Sequence, residues 1–201
     1  MTEGKHIVIE GIDGVGKTTQ AERLASAIGG RTLGQPGGSP FGAALGELLK
    51  DPHLERLDPL TDVFEHAGQR CEFVKFSLEP VIKSGQHFIS DRSWHSGFAY
   101  QGARGVSTEK IVTLNSIAMG KYFKPDLLIV LTAHPKIARK RQHSHHPADY
   151  YEAMNMFMQR RIMSRYVRAA ELFGGYLIDA NASIEKVGDR ILHLVQEKLD
   201  I

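Results

Sequence analysis

Apolar positions along the chain fall into two alternating patterns. Short aliphatic runs occur at 5–10 (KHIVIE), 87–90 (HFIS), 126–131 (DLLIVL) and 176–179 (YLID), with a weaker one at 31–33. Runs of this length and composition predict strands. Between them, apolar residues recur every three or four positions, at about 17–28, 40–50, 60–83, 107–119, 135–142, 150–173 and 183–199. These stretches predict helices. In the last one, Ile184, Val187, Ile191, Leu194 and Val195 form a single apolar stripe, and Ser183 stands at its start. Strands separated by helices argue for an α/β fold, a parallel sheet covered on both faces. The segment RQHSHHPAD at 141–149 is polar and contains Pro147, so it reads as a mobile loop between two helices.

Composition narrows this picture. The chain has 201 residues, 42% of them hydrophobic, and no repeat or linker, which predicts one domain over 1–201 with a sizeable core. The longest aliphatic run, LLIVL at 127–131, is too short to span a bilayer, so no membrane association is expected. A net charge of +2 is too mild to point to nucleic acid. A single cysteine, Cys71, excludes an intrachain disulfide and suits a reducing compartment. The opening residues lack signal-peptide character, and a cytoplasmic location is expected. Cys71 lies in a helical stretch and is expected to be a small buried filler.

The chemistry begins at GIDGVGKTTQ. Gly11, Gly16, Lys17 and Thr18 satisfy G-x-x-x-x-G-K-[ST] directly between a predicted strand and a predicted helix, the context this motif requires. Its glycines, with Gly14, let backbone N–H groups curl round phosphates at a helix N-terminus. Lys17 is expected to bridge the β- and γ-phosphates and Thr18 to ligate Mg²⁺. Gly11, Asp13, Gly14, Gly16, Lys17, Thr18 and Thr19 form the expected nucleotide-binding loop. A GTPase would carry N-K-x-D, which is absent, and LLIVLTA ends without the acidic residue of a motor ATPase. The chain offers HFISDRSW instead, with Asp91 and Arg92 at the C-terminal end of a strand. Ligands bind at that edge of a parallel sheet. The carboxylate suits a Mg²⁺ site or acceptor orientation, and the guanidinium suits an acceptor phosphate.

At this point the chain resembles the thymidylate kinase family nearly end to end. IVIEGIDGVGKTTQ is similar to the family's opening, QPGG at 35–38 to its R-E-P-G-G, DRSWHSGFAYQG at 91–102 to D-R-Y-x-x-S-x-x-A-Y-Q-G, KPDL at 124–127 to RPDL, and IDA at 178–180 to the segment bordering adenine. The resemblance implies a P-loop nucleoside monophosphate kinase fold with a five-stranded parallel sheet, helices on both faces and a short lid at about 141–150. It implies ATP and Mg²⁺, transfer to dTMP, and a homodimer formed through helices that include 60–83. By the same resemblance Asp13 approaches the acceptor sugar, Gln35 and Pro36 border the acceptor, and Arg70 reaches the base edge. Arg92 holds the acceptor phosphate, and Tyr100 and Gln101 line the deoxyribose and base. Lys140 and Arg141, with Arg139, lead cations into the lid, and Ala180 borders the adenine. The expected catalytic set is Lys17, Arg92, Asp13, Asp91 and Arg141, with Thr18 and Asp91 toward the metal. The attacking group is an already ionised phosphate, so the chemistry needs positioning and charge neutralisation rather than a strong base.

Four departures from the family pattern stand out. Gly34-Gln35 replaces Arg-Glu before Pro-Gly-Gly. The stacking Phe falls on His66, and a Ser, Thr or Asn at the pyrimidine edge falls on Gly97. Lid arginines fall on His143 and His145, and the lid Asp-Arg becomes Asp149-Tyr150. Two readings follow: compensated drift with a dTMP acceptor, or a changed acceptor such as 5-hydroxymethyl-dUMP or another deoxynucleotide. A third, from another class, is a catalytically weak nucleotide-binding regulator, against which Lys17, Thr18, Asp91 and Arg92 argue. The lid histidines His143, His145 and His146 suit a solvated loop, a metal site, or protonatable replacements for arginine. Met154, Met158, Ile162 and Tyr166 recur every four residues and read as a packing stripe. Trp94 suits either the pocket wall or the core. Arg160, Arg161, Arg165 and Arg168 read as a solvated face, with Arg161 or Arg165 able to reach phosphates.

Overall fold

The computed structural model describes residues 2–51, 53, 55, 57–142 and 156–201. Five strands, β1 (His6–Glu10), β2 (Arg31–Gly34), β3 (Phe88–Asp91), β4 (Leu127–Thr132) and β5 (Tyr176–Asp179), pair in parallel in the order β2–β3–β1–β4–β5. Every residue of β1 and β3 is buried, as is all of β4 except its last residue. That explains the unbroken apolar runs, since a strand covered on both faces has no polar side to alternate with. The edge strands β2 and β5 are largely exposed or half-buried, and β2 is the weakest apolar run of the five.

The helices are α1 (Lys17–Ile28), α2 (Pro40–Lys50), α3 (Pro59–Phe73), α4 (Glu79–Lys83), α5 (Trp94–Ala103), α6 (Thr108–Met119), α7 (Pro135–Gln142), α8 (Met156–Phe173) and α9 (Ile184–Leu199). Helices α1 and α9 pack on each other and on the sheet, while α8 packs on β4 and β5 and carries α5. The α/β expectation and the five-stranded parallel sheet agree with this architecture. The expected helical stretch at 60–83 holds, but it changes type midway. A π-helical segment, Val74–Leu78, separates α3 from α4. Pro80 has no N–H to offer the carbonyl of Phe76, and the widened turn stands immediately ahead of it.

Helix α5 was not expected from the periodicity. Of its ten residues only Ser96 is not buried, so it has no polar face and no stripe to recognise. Trp94 settles into the core. Its ring stacks on His95 and Phe123, with centroids 4.0 and 4.4 Å away, and its Nε1 donates to Phe123 O at 2.8 Å. Cys71 corrects another expectation: it is exposed rather than a buried filler, on the outer side of α3. The stripe on α8 holds at Ile162 and Tyr166, both buried, with Met158 partly buried. Met154, the lid beyond Gln142, His143, His145, His146, Asp149 and Tyr150 lie outside the described residues.

Phe98, 1% exposed, anchors α5 by packing edge-to-face on Phe173 under the Arg165 guanidinium. Truncating such a ring leaves a cavity, so Phe98→Ala is expected to lower the unfolding free energy by about 3–5 kcal/mol in urea titrations. A loss under about 1 kcal/mol would show that α5 is not seated through this ring.

Candidate active site

Register brings the site together. Ile9 pairs with Asp91 and Asp91 with Gly34, so the C-terminal ends of β1, β2 and β3 meet at one edge. The loop after β1 turns there on glycines. Gly14 has φ +79°, and a Cβ on it would come 2.1 Å from Ala138 O, so α7 lies directly over the loop. Gly16, with φ 91°, is the N-cap of α1 in the left-handed region, which glycine adopts without strain. The first N–H groups of α1 are thereby aimed at this edge, a ready anion site.

Lys17 is buried, donates to Ile12 O at 3.0 Å and lies 3.5 Å from Asp13 Oδ1. Burial and the nearby Arg92 lower its pKa. Thr18 Oγ1 donates to Asp91 Oδ2 at 2.5 Å. The other oxygen of Asp91 is buried with no hydrogen-bond partner among the described residues. A hydroxyl and a carboxylate with a spare buried oxygen fit a hydrated Mg²⁺, an oxygen-seeking ion that keeps several waters. Thr19 is exposed on the next residue of α1.

Arg92 takes φ 74°, unusual for a residue with a side chain, and its surroundings hold it there. Its guanidinium pairs with Asp13 and donates to Ser96 Oγ at 3.2 Å and Tyr166 Oη at 3.1 Å. Tyr100 Oη donates to Asp13 Oδ2 at 2.9 Å. Burial alone would raise the Asp13 carboxyl, but Arg92 and Lys17 outweigh it and hold the group well below the usual carboxylate range.

Glu10 organises the entry to α5. Its Oε1 accepts from the backbone N–H of Ser93 at 2.7 Å and of Ser96 at 3.0 Å, and its Oε2 accepts from Ser96 Oγ at 2.7 Å. Ser93 is the N-cap residue and makes no side-chain cap of its own, so a carboxylate from β1 does that work. Burial raises the Glu10 pKa, and Arg92 and these hydrogen bonds oppose it.

A cavity of about 1010 Å³ opens from this edge. Asp13, Thr18, Asp91 and Arg92 line it where the loop is, and Gln35, Pro36, His66, Arg70, Gly97, Tyr100 and Gln101 line the rest. Both amide atoms of the buried Gln35 have no hydrogen-bond partner among the described residues. Arg70, fully buried, donates to Asn115 Oδ1 at 2.9 Å and Ser93 O at 3.1 Å, and burial lowers its pKa to about 10. Arg139 borders an adjoining cleft with Ile12, Asp13 and Tyr100. Arg141 does not line the cavity; it donates to Ala180 O at 2.8 Å and Ala182 O at 3.3 Å, tying α7 to the segment before α9.

Sequence reasoning missed several residues of this site. Glu10 gave only the signal of a charged residue closing an apolar strand. Tyr166 was absorbed into the packing stripe, and its hydroxyl end gave no separate signal. Ser96, Glu22 and Glu47 also border the cavity without having been singled out.

The family profile described as Thymidylate kinase matches residues 9–191. The chain is 33% identical over 204 residues to the thymidylate kinase of Caldicellulosiruptor saccharolyticus, covering 98% of each chain. It is 32% identical over 211 residues to that of Synechococcus sp., again covering 98% of each. The thymidylate kinase of Paraburkholderia phytofirmans is 31% identical over 207 residues, covering 97% of this chain and 98% of the relative.

The depressed Asp13 pKa makes a signed prediction. Its contribution to stability is present above the unfolded carboxylate value, about 3.9, and is lost as pH falls through the lower folded value. Asp13→Asn is therefore expected to be less stable than wild type at neutral pH, with a gap that narrows below about pH 4. Denaturant melts across pH measure this, and a constant gap would contradict it.

Proposed function

The chain belongs to the thymidylate kinase family, and we propose that it transfers the γ-phosphoryl group of ATP to dTMP. The observation that carries this reading is the meeting of the Thr18–Asp91 pair and the Arg92–Asp13 pair at one end of a single cavity. Lys17 and the backbone N–H groups of the loop, with Thr19, hold the phosphates of ATP. Thr18 and Asp91 hold Mg²⁺, which when bound neutralises charge on the phosphate oxygens. Arg92 takes the acceptor phosphate, and that phosphate must share the guanidinium with Asp13. Arg139 adds positive charge beside the loop. Arg141, through Ala180, shapes the adenine side.

The acceptor oxygen is ionised at neutral pH, so none of these residues has to act as a strong base. Their work is alignment and neutralisation of the transferring group. Tyr100 stands against the sugar, and His66, Arg70, Gly97 and Gln101 against the base. The names carried by full-length relatives favour the thymine acceptor over a 5-modified pyrimidine or another deoxynucleotide. They equally disfavour a regulator without catalysis. Exposed Phe64 on α3, Phe76 in the π-helical segment and Ile117 on α6 support a homodimer through this part of the molecule. Among the described residues no helix is long and apolar enough to cross a membrane.

ATP consumption coupled to a panel of deoxynucleoside monophosphates tests the reading. The highest kcat/KM is expected with dTMP; no stimulation by any acceptor, or a preference of about tenfold for another, would overturn it. Arg92→Ala is expected to lower kcat/KM for dTMP about 10²–10³-fold. Tyr166→Phe removes one hydroxyl from the Arg92 cluster and is expected to lower it by about tenfold or less.

A further inference from the structure

Three polar side chains, Glu10, Tyr166 and Arg92, meet at the hydroxyl of Ser96, and its one proton fixes how they are joined. A hydroxyl donates once and can accept twice. Ser96 Oγ donates to Glu10 Oε2 at 2.7 Å, so its proton is committed there. Glu10 takes two further donors, the N–H groups of Ser93 and Ser96, on its other oxygen. Toward its remaining neighbours Ser96 can only accept. Tyr166 Oη lies 2.9 Å from Oγ and Arg92 Nη1 3.2 Å. Tyr166 therefore donates its O–H to Ser96 and accepts from Arg92 Nη1, 3.1 Å away, on a lone pair. Burial raises the Tyr166 pKa, so the hydroxyl keeps its proton. The donors run one way, from Tyr166 through Ser96 to Glu10.

This order divides the two ends of the Arg92 guanidinium. Nη1 carries two protons and faces three neutral acceptors, Ser96 Oγ, Tyr166 Oη and Gly11 O at 3.5 Å. Nη2 instead pairs with Asp13. Tyr166 is fully buried, whereas Asp13 lines the cavity. We propose that Ser96 is a positioning residue for Arg92: it turns Nη1 inward, so that of the two terminal nitrogens the acceptor phosphate meets Nη2 alone, by displacing Asp13. This rests on the dTMP kinase reading and deepens it.

A free guanidinium offers both terminal nitrogens to one phosphate. Here that end-on grip would break the contacts of Nη1 with Ser96 and Tyr166. Exchange at Nη2 disturbs less. The displaced Asp13 keeps two partners, the Tyr100 hydroxyl at 2.9 Å and Lys17 Nζ at 3.5 Å. One anion replaces another, and the arginine is not left as an isolated charge during the exchange. Its side chain is also ordered before the acceptor arrives, so binding does not have to supply that ordering.

Titration calorimetry with dTMP and with thymidine, the same base and sugar without the phosphate, tests this. Ser96→Ala releases Nη1 and takes the acceptor from the Tyr166 O–H. Its Kd for dTMP is expected to rise about tenfold, with Kd for thymidine within about twofold of wild type. Ser96→Thr keeps the hydroxyl and is expected to recover most of the loss. Combining Ser96→Ala with Tyr166→Phe is expected to cost less than the product of the two single losses, because both act on Nη1. Equal losses for dTMP and thymidine would show that Ser96 only seats α5, and would overturn the inference. Losses that multiply in the double variant would overturn it too. If Ser96→Ala does not fold, Tyr166→Phe carries the same comparison: a loss confined to dTMP supports the inference, and a loss shared with thymidine, or no loss, overturns it. Wild-type protein whose ATP consumption is not stimulated by dTMP would bring down the functional reading itself, and this inference with it.

Discussion

The buried carboxylate of Glu10 is the constraint on which the site depends. It sits at the end of β1, one residue before the phosphate loop, and closes the N-terminus of α5 through Ser93 and Ser96. One side chain therefore sets the loop and the acceptor wall in a common frame. Gly97, Tyr100 and Gln101 all stand on α5, so their places in the cavity follow from where that helix begins. A carboxylate at a helix N-terminus is favoured by the unpaired N–H groups and the helix dipole. In a buried setting those hydrogen bonds also offset the penalty of removing the charge from water.

Around that frame the charges are arranged in compensating pairs. Lys17 and Arg92 stand against Asp13 and Asp91, and Asp13 is shared between both cations and the Tyr100 hydroxyl. An isolated cation here would be heavily penalised by burial. Paired, it has that penalty offset by a neighbouring carboxylate and is already oriented for a phosphate. The backbone at Arg92 shows the same demand, since its positive φ turns the guanidinium back over the loop instead of continuing the strand direction.

Where the residues themselves announce their surroundings, the fold was legible. Three strands buried on both faces read as apolar runs, and α9 read as a stripe because one face meets the core and the other meets water. Helix α5 failed that test because both its faces are covered and its cap comes from Glu10, 83 positions earlier. The widened π-helical turn before Pro80 was written in the proline, but periodicity on either side reports a helix and not its type. Cys71 was misplaced because residue type is a poor guide to which side of a helix faces outward. The phosphate loop was legible because its chemistry is local: glycine, lysine and threonine act within one turn.

Sequence alone determined a phosphate-binding site, through a loop of local backbone geometry, and the parallel sheet, through the burial its strands require. It also marked Asp91 and Arg92 as a pair at a strand end, though not what each would touch. Only the tertiary structure decided that Arg92 meets Asp13, Ser96 and Tyr166, that Glu10 caps a helix, and that Asp62 pairs with Arg104. The reason is physical. A motif's spacing encodes contacts within a few residues, whereas a buried polar group must find its partners wherever the packed chain brings them.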